Sequence, residues 1–487
     1  MSGDVNMKIS RRSFVGSAAL AGAPFFIGYG AVAPAPLRRP GPNGRVNVGI
    51  IGCGLIAKGT NVPGFLKDPR CRVTVACDMV QEAPGYFYGA KKSNFGAEGL
   101  AVKDESSRSD VCGSRVIKAA VDKHDGDTAC REVFDWREVI ADPSIDAVCI
   151  CTPDHWHVLI AIAAMRAGKH VFCQKPLTLG ISEGKALVKV AKETGVKFQV
   201  GNQGRSSSDK RIVEEIVLNK LLGDLKSVTV AIPGGDHWAG HGHSEARAPL
   251  PDWMSPAAWD LWQGPAEHWE NNAFIPSIHE PTCWRFNRRY GGGMIPDFGA
   301  HEFDVVQRGM GLDRSGPVAV ENMKTDLRKD NGVFTWAGRY DFEFVYANGV
   351  RVHVRPVDKK AGVKRGVTFH CEKGDISTCK GAKRPKGLEK WRESDLKDGD
   401  VKLYAPANGH WHEADFIDGI IENRAICSDA EIGHRTITCA HIANICEQLR
   451  TDRLDWDPVK ETFTGKLAAE ANAMAEVKHH NGWELKA

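Results

Sequence analysis

The chain has 487 residues, 42% hydrophobic and 26% charged, with 51 glycines and 24 prolines. That composition excludes a disordered or collagen-like polymer, and the length calls for two or more domains. Its 64 basic and 61 acidic residues leave a formal charge of +3, too near neutral for a protein whose partner is nucleic acid or an anionic membrane surface.

The first predicted element is an address. Ser10-Arg11-Arg12-Ser13-Phe14-Val15 precedes an uncharged, small and apolar stretch from Gly16 to Val32, which has the charged and apolar regions of an export signal. Adjacent arginines before Phe14 resemble a twin-arginine signal, which implies a periplasmic protein exported already folded. Pro24, Gly28, Gly30 and Pro34 argue against a plain N-terminal helix. Residues 1–33 are read as the signal peptide, with cleavage near Ala31-Val32-Ala33, and residues 34–44 as a Pro/Gly linker. No apolar run reaches the roughly 18–20 residues of a membrane-crossing helix, so no stable membrane span is expected. The fourteen cysteines include no CxxC pair and fall mainly in apolar, strand-like runs, where thiols act as small buried hydrophobes.

Val46-Asn47-Val48-Gly49-Ile50-Ile51 reads as a strand entering Gly52-Cys53-Gly54-Leu55-Ile56-Ala57, the G-x-G-x-x-G/A pattern of a dinucleotide-binding turn. Gly52 permits the tight turn, Gly54 lets the backbone approach a pyrophosphate, and Ala57 allows close helix packing. Leu55 and Ile56 open the helix whose first amides would face the phosphates. A second strand, Arg72 to Cys77, ends in Asp78, at about the separation where a ribose-binding acid belongs. A carboxylate there accepts from ribose hydroxyls and repels a 2′-phosphate, which favours NAD over NADP. A solvated turn residue is the plainer alternative.

Ile145 to Cys151 is a third buried strand, running into Thr152-Pro153-Asp154-His155-Trp156-His157 and a helix through Ala167. Lys169 to Cys173 is the next, ending in Gln174-Lys175-Pro176; helix Ser182 to Thr194 and strand Val196 to Val200 follow. This alternation predicts an α/β fold with a doubly wound parallel sheet over residues 45–202. Ligands of such sheets sit outside the strand C-termini, so Thr152, Pro153, Asp154, His157, Gln174 and Lys175 should line one crevice with Gly52 and Gly54. Residues from about 80 to 130 read as an insertion, with Lys91 to Asp127 a surface excursion.

Residues 203–487 read as an α+β domain with an open, largely antiparallel sheet. Strands are expected at Val228 to Ile232, Tyr340 to Tyr346, Val350 to Val354 and Val367 to Cys371, with a hairpin at Asn348-Gly349. Helices are expected at Asp209 to Leu221, His301 to Gly309, His412 to Glu422 and Thr436 to Leu449. Gly291 to Asp304 holds the densest polar constellation: Asp297 and His301 share a face if a helix begins there. Histidine suits a base that takes a hydroxyl proton as hydride leaves, and lysine suits the oxygen that changes charge. A helix cap and a packed polar residue would also account for Asp297 and His301.

Taken together, these motifs, with Trp259 to Pro265 and Gly433-His434-Arg435-Thr436, resemble the Gfo/Idh/MocA family of oxidoreductases, especially its exported twin-arginine bacterial branch. The resemblance implies a Rossmann domain, bound NAD(H) or NADP(H), carbohydrate or cyclitol substrates, and a homo-oligomer. It places the family's catalytic lysine on Lys175 and its acid and histidine on Asp297 and His301. Position 174 is Gln where the family has Glu, so Lys175 loses the support of a neighbouring carboxylate.

The leading expectation is a periplasmic oxidoreductase with tightly bound NAD. Alternatives are glycoside hydrolysis through transient oxidation and elimination, and a sugar- or nucleotide-binding protein without catalysis. His237, His241, His243 and Glu245 could ligate a metal, but a flexible glycine-rich substrate rim suits them better, and no metal is expected. Trp238, Trp253, Trp259, Trp262, Trp269 and Trp284 could stack on sugar faces or belong to the core.

Overall fold

The computed structural model describes residues 44–83, 111–126, 130–234, 247–269, 272–275, 283–327, 333–406 and 411–485. The signal segment, nearly all of the linker, and the loop with His237, His241, His243, Glu245 and Trp238 lie outside the described residues.

Six parallel strands form the first sheet: β1 (Val46–Ile51), β2 (Cys71–Cys77), β3 (Arg131–Val133), β4 (Ala147–Ile150), β5 (His170–Gln174) and β6 (Phe198–Gly201), in the order β3-β2-β1-β4-β5-β6. β4 and β5 are buried at every residue, as strands covered by helices on both faces must be. The order reverses between β1 and β4, which opens the crevice where such folds hold ligands.

Helix Ser114–Asp125 packs Ile117 and Val121 into the core beside β2 and β3. The later part of the stretch read as an insertion is therefore a crossover helix. Its pattern was obscured because it starts at Gly113, at φ 132° and without a side-chain cap, and ends in a charged turn. Residues 84–110 lie outside the described residues.

The second sheet has eight strands: β7 (Leu225–Ile232), β8 (Ala319–Thr325), β9 (Tyr340–Val345), β10 (Arg351–Pro356), β11 (Gly366–Cys371), β12 (Gly374–Ser377), β13 (Arg453–Asp457) and β14 (Thr462–Thr464). They run β12-β11-β7-β10-β9-β8-β13-β14, antiparallel throughout except for the pair β7 and β10. Alternating burial along β9 marks a sheet with one face on the core. Against that face lie helix Met294–Gly309 and helix Ala430–Gln448. Helix Met294–Gly309 starts well before the expected His301. Gly293 sets the entry with φ 76°, and a side chain there would meet Cβ of Trp336 at 2.9 Å.

Aromatic packing ties the first sheet and its helices to C-terminal segments of the chain. Phe172 of β5 meets Phe65 at 5.8 Å and Phe416 of helix His412–Ile421 at 5.7 Å, each edge to face. Trp483 near the C-terminus packs on Trp156 at 4.7 Å. Trp259 and Trp262 stack within a buried cluster with Tyr290, so for these two the core reading holds. All fourteen cysteines are free thiols, and all but Cys379 are buried. Among the described residues no helix is long and apolar enough to cross a membrane.

Candidate active site

The glycine turn is built by backbone packing. Gly52 sits at φ 88°, and a Cβ there would lie 2.7 Å from the Cys151 carbonyl carbon and the Thr152 amide, so only glycine lets β1 and β4 end this close together. Asp78 closes the turn from β2: its carboxylate accepts from the Cys53 amide at 2.7 Å and the Val80 amide at 2.9 Å. Burial nonetheless raises its pKa to about 6, against those two hydrogen bonds. Leu55 and Ile56 form the first helical turn beyond Gly54, and Ala57 is fully buried under it. The Thr152 hydroxyl is buried without a hydrogen-bond partner, and Pro153 caps helix Asp154–Arg166.

These features fit a dinucleotide. The turn leaves no side chain between strand ends and ligand, the orphaned Thr152 hydroxyl offers a donor and acceptor, and Asp78 supplies the acid beside the ribose position.

Lys175 follows β5 directly. Its Nζ donates to both the carbonyl and Oδ1 of Asp297, each at 2.9 Å. Arg285 Nε lies 3.1 Å from the same Oδ1. Burial would raise the Asp297 pKa, but Lys175 and Arg285 outweigh it and hold the carboxyl well below its usual range. An ammonium has three donors, and two are spent on Asp297, so a third remains for a substrate oxygen. Asp297 thus orients Lys175 directly.

His301, one helical turn after Asp297, is oriented by another residue. Its Nδ1 lies 3.0 Å from Oδ1 of Asn202, just beyond β6. Asn202 Nδ2 donates to the Ala300 carbonyl at 3.0 Å. That second bond pins the amide, because a flipped Asn202 would set oxygen against oxygen. Nδ1 therefore carries the imidazole proton, and Nε2 is left as a base. Burial, then the charges of Lys175, Arg365 and Lys210, push the His301 pKa well below 6.5, so the neutral form prevails near pH 7.

Asp154 is buried behind these groups, and burial raises its pKa well above the usual carboxylate range against the pull of Arg285. Two predicted crevice residues are turned to other tasks. His157 is buried, with Nδ1 2.7 Å from the Pro176 carbonyl and Nε2 2.8 Å from that of Thr152. A neutral imidazole has one N–H, so His157 donates to one of these carbonyls at a time; both nitrogens face backbone, and the ring braces the ends of β4 and β5. Gln174 is also buried: its Nε2 donates to Asn61 Oδ1 at 2.8 Å, and Asn61 Nδ2 donates to Glu413 Oε1 at 2.9 Å.

Asn202, Arg285, Arg365, Asn61 and Glu413 were missed from sequence. Asn202 could have been found, because it stands at the C-terminal end of a predicted strand. The others come from distant segments with no local signal.

Fold and site together define a two-domain nucleotide-binding protein of the oxidoreductase type. The chain belongs to the Gfo/Idh/MocA family: the family's NAD-binding Rossmann fold matches residues 46–202, and its C-terminal alpha/beta domain matches residues 206–485. Over 92 residues, 18% of this chain and 24% of the relative, it is 39% identical to levoglucosan dehydrogenase of Pseudarthrobacter phenanthrenivorans. Over 144 residues, 30% of this chain and 39% of the relative, it is 31% identical to a scyllo-inositol 2-dehydrogenase (NADP(+)) of Bacillus subtilis. These matches span well under half the length of either relative. The solved scyllo-inositol dehydrogenase of Lactobacillus casei, with bound NAD(H) and scyllo-inositol, shares the fold, with a TM-score of 0.53 at 16% identity, covering 84% of this chain and 99% of that one.

Proposed function

We propose that this protein transfers a hydride between NAD and a hydroxyl-bearing carbon of a sugar, cyclitol or glycoside. The observation that carries the reading is the base at His301, whose tautomer Asn202 sets, beside an ammonium that Asp297 anchors. Bound NAD supplies the hydride acceptor, held by Gly52, Gly54, Leu55, Ile56, Asp78 and Thr152. His301 Nε2 takes the hydroxyl proton. Lys175 donates to the same oxygen and stabilises its charge as the carbonyl forms. In the reverse direction His301 returns the proton. The Asp78 carboxylate favours NAD over NADP by charge repulsion at the 2′ position.

Family membership supports the redox chemistry, and the curated relatives named above are dehydrogenases of levoglucosan and scyllo-inositol. Export to the periplasm rests on Arg11-Arg12 and the apolar stretch behind them, and homo-oligomerisation rests on the family resemblance. Denaturing the purified protein and identifying the released nucleotide, then screening the intact protein with sugars and glycosides for a change in nicotinamide absorbance, tests the reading. Release of an aglycone without net reduced nucleotide would instead favour redox-neutral glycoside cleavage.

A further inference from the structure

Among the described residues, cations outnumber the carboxylate they share beside His301. Glu302, the next residue, is buried at 3% side-chain exposure and holds two cations: Arg365 Nε at 2.9 Å and Lys210 Nζ at 3.5 Å. Asp297, at 8%, likewise holds Lys175 and Arg285. One cation would neutralise Glu302, so Glu302 with Arg365 and Lys210 carries a surplus positive charge.

The cations are the accessible members. Arg365 is 42% exposed and Lys210 22%, while their shared carboxylate is covered. Arg365 shares a ring with the reacting lysine: its guanidinium lies 4.5 Å from the Phe298 ring centroid, and Lys175 Nζ lies 5.8 Å from the same centroid. The acid beside Lys210 in sequence, Asp209, faces Arg384 instead. Asp154 adds little negative charge, since its burial favours the neutral acid. Neither Arg365 nor Lys210 comes from the nucleotide-binding sheet: Lys210 lies in helix Ser208–Leu218 and Arg365 just before β11. Their charge is therefore separate from the phosphate-binding turn.

We infer that the crevice takes an anionic sugar of the uronate or aldonate class, whose carboxylate Arg365 and Lys210 receive while its hydroxyl faces His301 and Lys175. The inference rests on the function proposed above and narrows its substrate. Partly buried cations that share one carboxylate gain most from a second, and a fork-shaped guanidinium matches carboxylate geometry.

The test is calorimetric binding and nucleotide reduction by the purified, nucleotide-loaded protein with D-glucuronate, D-galacturonate and D-gluconate against D-glucose and D-galactose. At least one acid should bind about tenfold more tightly than its neutral counterpart, and the preference should shrink with added salt. Arg365→Gln and Lys210→Gln, used as independent variants in case one fails to fold, should each bring the acid-to-neutral ratio toward one, and Arg365→Lys should keep part of it. Equal or tighter binding of every neutral sugar, no binding of any acid, or an unchanged ratio in both Gln variants overturns the inference. Reduction of bound nucleotide by neutral sugars alone overturns this inference and leaves the proposed function standing. Acid binding with no nucleotide held or reduced overturns the proposed function instead.

Discussion

His301 Nδ1 and Asn202 Oδ1 lie 3.0 Å apart, and the bond from Asn202 Nδ2 to the Ala300 carbonyl fixes which of the two carries the proton. The acid-base chemistry of the site thus depends on a side chain at the end of β6, outside the glycine-rich segment.

Asn202→Leu removes the acceptor and frees the imidazole to take the other tautomer. We expect kcat to fall about 10- to 100-fold, with the loss in kcat more than in KM, because the transition-state proton transfer suffers. Asn202→Asp sets a carboxylate beside Nδ1 and favours the imidazolium. Its kcat/KM profile should lose activity at a higher pH than wild type. A pH series on the three proteins measures both.

Lys175 acts on both the substrate oxygen and His301. In wild type the acid limb of kcat/KM should lie below pH 6.5, because burial and neighbouring cations hold the His301 pKa down. Lys175→Met should lower kcat about 100- to 1000-fold, the range seen when a charge-stabilising donor is removed. It should also move the residual acid limb upward, since one cation that disfavours the imidazolium is gone. Steady-state kinetics from acid to neutral pH checks the two effects together.

The buried chain Gln174–Asn61–Glu413 places one acidic group and one amide on either side of Asn61. Gln174→Glu would set carboxylate oxygen against Asn61 Oδ1 and should cost about 1–3 kcal/mol. Adding Glu413→Gln lets Asn61 turn over and should restore most of the loss. Chemical denaturation of the two single variants and the double variant measures the coupling.

Glu413 also carries a pH signature. Burial raises its folded pKa to about 7 from an ordinary 4.5. Its contribution to stability is thus full below pH 4.5 and is lost as pH rises through about 7. Glu413→Gln should therefore gain stability over wild type above pH 7, by up to about 2–3 kcal/mol, and show little difference near pH 4.5. Melting temperatures across that interval test the sign.

Gly52→Ala should fail at the glycine turn. A left-handed φ costs an alanine about 1–2 kcal/mol, and its Cβ would lie 2.7 Å from backbone atoms of Cys151 and Thr152. The strand ends must separate, so both thermal stability and the nucleotide content of the purified protein should drop. Unchanged nucleotide content would contradict the assigned turn.

In the first sheet β1, β2, β4, β5 and β6 were legible in sequence because they are short, largely apolar runs that alternate with helices, whereas β3, three residues of which two are charged, was not. The hairpin at Asn348-Gly349 was legible from its turn residues. Strands β8 and β13 and the edge strands β12 and β14 were not, because Ala319–Thr325 and Arg453–Asp457 carry charges on the outer face and β12 and β14 are very short. At the site, Lys175, Asp297 and His301 could be named from motif and chemistry. Their partners could not: Arg285 and Arg365 reach them only through the folded second domain, and His157 had the right neighbours in sequence but a side chain turned between two backbone carbonyls.

The most direct measurement of the central claim is the rate of nicotinamide reduction in a single turnover, comparing wild type with His301→Ala after the nucleotide content of each has been verified. The account predicts that both proteins hold NAD and that the variant reduces it about 100- to 10,000-fold more slowly, with activity partly recovered by added imidazole. Equal rates in the two proteins, or a folded wild type that neither carries nor binds NAD, would contradict it.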